Sequence, residues 1–361
     1  MNTELISGTG PDIIDLEAFP GKELYAAAGA LYNLAPYFDE ELNSADFFAL
    51  DVLMEDGQLY YVPACFGIMT HYGLSSSFDG MTGWTLNEYS QYMMAQRQKP
   101  DAVEAGSKIG FLKDLCVWLI PMCLDWETGT CSFTSDVFIE ALLLADEIDE
   151  RPWSTTELPD ALMGGGQLLE SGYLLTSPIQ IAELEKSVGQ ELTFIGSPTA
   201  TGQGGSYLYL SALAGINANS PQREAAWDFL KFIMTDEDVQ KQLSSNMLPI
   251  LRSVEMERLH SLTAVYPEYE GMEITVNDDG TFSVDGVQQD RLYNPTPILT
   301  KAQAEKYLSL IDSATCIYDY DKIVYEIIEQ EADALFNGQA SAEEAAALIQ
   351  SRVSLYMAEQ R

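Results

Sequence analysis

The chain has 361 residues, of which 47% are apolar and 11% aromatic, enough to build two globular domains of ordinary size. Only 18 Lys and Arg stand against 56 Asp and Glu, a formal charge of -38 distributed along the whole chain. So acidic a surface repels phosphate backbones and anionic lipid, which argues against nucleic acid as a partner and against a membrane-surface role.

The start, Met1-Asn2-Thr3-Glu4-Leu5, lacks the basic and apolar regions of a signal peptide and reads as the end of a helix. Gly8 closes it, Gly10-Pro11 breaks the chain, and Asp12-Ile13-Ile14-Asp15-Leu16 follows as a strand. Gln58 to Pro63 is a second strand, stopped or put at an edge by Pro63. Thr85-Leu86-Asn87-Glu88 is a capping box that starts a helix. Leu112 to Leu124 is the most apolar stretch, but it carries Lys113, Asp114 and Pro121 and reads as a buried helix. Ser135 opens a helix with Phe138, Ala141, Leu142, Ala145 and Ile148 on one face.

Strands are expected at Gln167 to Ser171, at Glu191 to Ile195 and, as one piece, over Tyr207 to Ile216. Ser220-Pro221 reads as an N-cap with proline at the first helical position, and this helix is expected to bury Ala225, Ala226, Phe229, Leu230 and Ile233. Thr235 to Asp238 starts the next. Glu273 to Val276 and Thr281 to Val284 flank Asn277-Asp278-Asp279-Gly280, a hairpin signal. The C-terminal third is helical, with Ile323, Ile327 and Ala334 on one face, and Ser341 to Glu344 capping a last helix that buries Ala345, Ile349, Val353 and Tyr356. Strands mixed with helices throughout predict α/β layers, with helices covering mostly parallel sheets.

Catalytic and cofactor signatures are weak. The five cysteines, at positions 65, 116, 123, 131 and 316, form no Cys-x-x-Cys pair, and His71 and His260 are the only histidines, so no metal site is expected. One disulfide among Cys116, Cys123 and Cys131 and buried free thiols are both open. Gly8-Thr9-Gly10 runs into Pro11 and a strand, and the Gly202 to Ser206 segment has no lysine, so neither cradles a phosphate and no cofactor is expected. No Gly-x-Ser-x-Gly elbow exists. Asp278-Asp279-Gly280 lacks the other ligands of a calcium loop, and paired carboxylates of glycosidase type occur by chance in so acidic a chain. The aromatics are more suggestive, because Phe19, Phe66, Trp84, Trp126, Trp153, Tyr173 and Tyr207 stand at or near turns. There they would line a cleft and stack on sugar rings, or pack in the core.

Ile6-Ser7-Gly8-Thr9-Gly10-Pro11-Asp12-Ile13-Ile14 resembles the opening strand motif of extracellular solute-binding proteins of ABC importers, the maltose-binding-protein-like family. Ser211 to Pro221 followed by Glu224-Ala225-Ala226-Trp227-Asp228-Phe229-Leu230-Lys231-Phe232 resembles that family's strand and helix after the second crossover. Leu59 to Pro63, Trp84 to Glu88 and Leu248-Pro249-Ile250 are similar to further family segments, in the same order. The resemblance implies an α/β, two-lobed type II periplasmic-binding-protein-like fold, lacking its N-terminal strand-helix-strand. Lobe one would hold 1–64 and 197–250, lobe two 65–196, and 251–361 would pack mostly with lobe two. It implies ligand contacts at Glu17, Phe19, Phe66, Trp126, Tyr173, Thr176 and Tyr207, and a monomer that delivers a sugar or oligosaccharide to an ABC permease. It also implies an extracellular location, with a lipoprotein anchor in a segment missing from this chain. Leu16, Leu174 and Thr176 stand where the maltose-binding branch has aromatics, which argues against maltodextrin as the ligand. A glycoside hydrolase-like enzyme using two carboxylates, or a receptor for a peptide or polyamine, are the alternatives.

Overall fold

The computed structural model describes residues 10–17, 22–54, 56–78, 80–97, 107–126, 128–148, 170–199, 201–203, 205–264, 272–276, 282–289, 298–318 and 321–360. Two sheets organise the fold. In the smaller, β1 (Ile13–Asp15) and β2 (Tyr61–Val62) flank β9 (Ala214–Ile216), both antiparallel to it, with Ile13 opposite Ile216 and Tyr61 opposite Gly215. Among the described residues β1 is paired along one edge only.

The larger sheet is built on β3 (Cys65–Leu74), a ten-residue strand buried over nearly its whole length. Along one edge, β8 (Tyr207–Ser211) pairs with Cys65–Met69 and β7 (Leu192–Phe194) with Tyr72–Leu74. Along the other, β10 (Leu248–Pro249) meets Cys65 and Phe66, and β6 (Glu170–Leu175) runs beside Ile68 to Tyr72. β14 (Cys316–Ile317) lies parallel to β8, the one parallel pair among the described strands, where the sequence reading expects mostly parallel sheets. For β3 the sequence reading expects a strand ahead of His71 without fixing its bounds, because Gly67, His71 and Gly73 interrupt the apolar pattern. Its burial on both faces removes the alternation that marks a half-exposed strand. A short ribbon pairs β4 (Leu124–Asp125) with β5 (Thr130–Cys131), and the expected hairpin forms from β11 (Ile274–Val276), β12 (Phe282–Val284) and a third strand, β13 (Val287–Gln289). Its turn, 277–280, and the glycines at 164–166 lie outside the described residues.

Thirteen helices are described. They are α1 (Lys22–Ala27), α2 (Ala35–Glu40), α3 (Leu50–Leu53), α4 (Leu86–Arg97), α5 (Lys108–Cys123), α6 (Asp136–Asp146) and α7 (Ile179–Val188), then α8 (Arg223–Thr235), α9 (Glu237–Leu243), α10 (Arg252–Thr263), α11 (Lys301–Ser313), α12 (Lys322–Phe336) and α13 (Ala342–Gln360). The two sequence-predicted capping boxes form. The Glu88 carboxylate accepts from Thr85 N at 2.8 Å while Thr85 Oγ1 accepts from Glu88 N at 3.3 Å, and Ser341 and Glu344 do the same. In α8 the face differs from expectation. The helix starts at Arg223, not after Ser220, and it buries Ala226, Trp227, Leu230 and Met234. Phe229 is 52% exposed, because Trp227 takes the core position and stacks on Tyr37 at 4.5 Å. Likewise α12 buries Val324, Ile328 and Leu335, and leaves Ile323 exposed. All five cysteines are free thiols.

Two main apolar cores result. The first gathers Ile14, Leu16, Phe66, Ile68, Leu208, Leu210, Trp227 and Tyr307 around both sheets. The second gathers Phe78, Trp84, Tyr89, Leu112, Phe138, Tyr207, Ile328 and Ile349 among helices. The helices described after residue 251 divide between them: α10 and α11 pack on the first core, α12 and α13 on the second. The chain passes between the two sheets at Pro63–Ala64 and again at Ala212–Leu213, side by side, since Ala64 N donates to Ser211 O at 3.2 Å.

Candidate functional site

Residues directly opposite one another on paired strands share a face of the sheet. Phe66 opposite Leu210, and Ile68 opposite Leu208 and Leu175, face the first core. Cys65 opposite Ser211, Gly67 opposite Tyr209, and Met69 opposite Tyr207 and Leu174 form the other face. The second core covers that face only at its far end, around Tyr207. Leu174, Tyr209 and Ser211 on it are half-exposed, as is Met69, which packs against the second core. The Tyr209 ring lies 5.9 Å from that of Tyr318, also half-exposed, just past β14. Gly67 lets the Leu174 and Met247 side chains close over the strand, since a Cβ there would stand 2.9 Å from Leu174 Cδ1 and 3.3 Å from Met247 Cε. The arrangement is a shallow apolar and aromatic floor with a hydroxyl at one end, suited to hold a neutral ring-shaped ligand.

Some of the sequence-predicted contacts lie near this floor and others do not. Phe66 is fully buried and packs on Phe48 at 5.6 Å in the first core. Trp126 is buried, edge-on to Tyr356 at 6.0 Å. Tyr207 is buried in the second core, and burial pushes its phenol well above the ordinary range. Tyr173 is half-buried, its ring edge-on to Tyr72 at 5.0 Å and its hydroxyl accepting from Gln180 Nε2 at 2.9 Å. Thr176, half-exposed beyond β6, donates its N–H to Gln180 Oε1 at 2.7 Å. Phe19 lies outside the described residues. The exposed carboxylate of Glu17 accepts Ala212 N–H at 2.7 Å and the Ser211 hydroxyl at 3.3 Å, beside the strand crossing. Tyr209, Tyr318, Met69 and Gly67 had no sequence signal except, for Tyr209, the alternation Tyr207-Leu208-Tyr209-Leu210.

The chemistry around this floor is sparse. The one Ser–His contact among the described residues is buried: His71 Nδ1 lies 3.2 Å from Ser197 Oγ, and burial pushes its imidazole down to about 4. Such a histidine is a neutral core group at pH 7, packed edge-on against Tyr89 at 6.3 Å. Among the described residues no group of three or more His, Cys, Asp or Glu side chains is placed to hold a metal ion. A separate apolar cavity of about 300 Å³ lies behind the strand crossing, lined by Ile13, Val62, Ala64, Leu213, Phe229 and Ile233 among others.

No family model and no curated protein sequence matches the chain. Solved structures do. A periplasmic oligogalacturonide-binding protein from Yersinia enterocolitica matches with a TM-score of 0.60 at 11% identity, over 99% of this chain and 88% of that one. An extracellular solute-binding protein family 1 member from Alicyclobacillus acidocaldarius matches with a TM-score of 0.58 at 16% identity, over 99% of this chain and 86% of that one. The sugar-binding protein MalE from Xanthomonas citri matches with a TM-score of 0.55 at 16% identity, over 100% of this chain and 87% of that one. Two apolar cores and two side-by-side strand crossings between the sheets, in a chain matched along nearly its whole length by these structures, identify the fold as the two-lobed type II periplasmic-binding-protein fold.

Proposed function

We propose that the protein is the extracellular solute-binding subunit of an ABC importer, capturing a sugar or oligosaccharide between two lobes and delivering it to a membrane permease. The observation that carries this reading is the open floor between the cores, where Tyr209 and Tyr318 present half-exposed rings beside the Ser211 hydroxyl. Aromatic faces pack against the apolar faces of pyranose rings, and a hydroxyl at the edge accepts from the sugar's own. Further support comes from the fold, since the three structures above are named for solute, sugar or oligogalacturonide binding. Tyr209, Tyr318, Met69, Leu174 and Ser211 form the floor of the binding cleft in this reading, with Thr176 at its rim. A solute touching both lobes stabilises the closed arrangement over the open one, and no bond is made or broken.

A glycan array followed by calorimetry on each hit, with product analysis of the mixture, tests this. Saturable binding of an intact neutral saccharide is expected. Release of a shortened saccharide, abolished by changing an acidic residue, would replace the reading with a glycosidase. Binding of a peptide or polyamine with no glycan hit would keep the receptor and overturn the solute class.

A further inference from the structure

The crossing at Ala212 is conformationally unusual. Ala212 holds φ at 52°, in the left-handed region that an alanine adopts with difficulty and a glycine readily. It is exposed, so core packing does not force it there. It ends β8, which runs in the large sheet, and leads through Leu213 into β9 in the small one. Its N–H donates to Glu17 Oε2 at 2.7 Å, and the Ser211 hydroxyl donates to both oxygens of the same carboxylate at 3.3 and 3.4 Å. Glu17 itself is held at the end of β1: its N–H donates to Asp15 Oδ1 at 3.0 Å, and Leu16 N donates to Leu213 O at 2.8 Å. One carboxylate from the small sheet therefore grips the point where the chain leaves the large one.

We propose that Glu17 is a positioning residue of the hinge, its carboxylate holding Ala212 in the left-handed conformation and thereby setting the resting angle between the lobes. This rests on the reading that the two sheets belong to lobes that close on a solute. The clamp is built from solvent-exposed hydrogen bonds on a strained residue, so it is made and broken at small net free energy, as a hinge requires. Release of the Ala212 N–H lets the residue relax to extended backbone, and the sheets then swing relative to each other.

The test is an interlobe distance distribution in the ligand-free protein. Spin labels go on Asn219→Cys and Gln339→Cys, with the exposed Cys316 changed to Ser, and are read by pulsed electron resonance. The parent should give one narrow distribution. Glu17→Ala should broaden or shift it, Glu17→Gln should stay near the parent because one acceptor oxygen remains, and Ala212→Gly added to Glu17→Ala should restore the narrow peak. A carboxylate that merely stabilises the fold would not be rescued by a glycine at 212. An unchanged distribution in Glu17→Ala, or no narrowing on adding Ala212→Gly, would overturn the proposal. Should Glu17→Ala misfold, Glu17→Ser replaces it under the same criteria: broadening that Ala212→Gly narrows supports the proposal, and an unchanged distribution or no narrowing overturns it. Failure of the solute-binding reading shows separately, as a parent protein with a narrow distribution and no glycan hit.

Discussion

Tyr209 and Leu208 are neighbours in sequence with opposite fates: Leu208 is in the first core, and Tyr209 faces the open floor beside Tyr318. Removing the Tyr209 ring should therefore spare the fold and weaken binding. Tyr209→Ala is expected to cost about 1–3 kcal/mol of solute affinity, roughly 5- to 150-fold in Kd, with a near-parental melting temperature. Calorimetry and thermal melting on the same sample check both halves. His71 shows the opposite case, a titratable group with no route to solvent. Its folded pKa is depressed from 6.5 to about 4 by burial, so its neutral form is favoured in the native state. The stability it confers is present above pH 6.5 and is lost as pH falls toward 4, because the unfolded chain takes up the proton first. The full effect is about 3 kcal/mol. In denaturant titrations from pH 7 to 5, His71→Gln should show a shallower loss of stability than the parent, and equal slopes would contradict the assignment.

Among elements, α9 is tied to the strand crossings by a single buried side chain. Gln240 donates from Nε2 to Ala64 O at 3.0 Å and Ile233 O at 2.8 Å, while its Oε1 accepts from Leu251 N at 3.3 Å. Gln240→Ala leaves these buried groups without partners and should cost about 3 kcal/mol, read as a lower denaturation midpoint. A loss under ~0.5 kcal/mol would mean water replaces the amide. Local signals made several elements legible before any coordinates. The Thr85 and Ser341 boxes, the hairpin around 277–280 and the strand at Ile13 all follow from chemistry contained in a few adjacent residues. Long-range features were not legible. The stretch from Tyr207 to Ile216 reads as one strand, because nothing about an alanine announces a left-handed φ. The face of α8 was misjudged since both Trp227 and Phe229 suit a core, and only the partner Tyr37, 190 positions away in sequence, decides between them. The open floor needed strand register: Gly67 lies opposite Tyr209 only once β3 and β8 are paired.

For the molecule as a whole, the charge of -38 dominates behaviour in solution. Among the described residues few carboxylates meet a cation; Glu185 does, held low with help from Lys306 at 2.7 Å and from Gln303. Self-repulsion at that density favours expansion, and salt screens it over roughly 10 Å at 0.1 M. The melting temperature should therefore rise between about 10 and 150 mM NaCl, and a flat profile would mean the acids are spaced too widely to repel.

The same repulsion bears on β1. Its outer edge offers the backbone groups of Ile13 to Asp15 without a described neighbour, next to a cavity whose walls include exposed Phe229. A strand edge beside an apolar recess is a template on which another chain can continue the sheet. Between copies of this protein, negative charge opposes that addition. A foreign segment that brings a short strand and little negative charge meets no such barrier, so it would be grafted onto β1 more readily than a second copy.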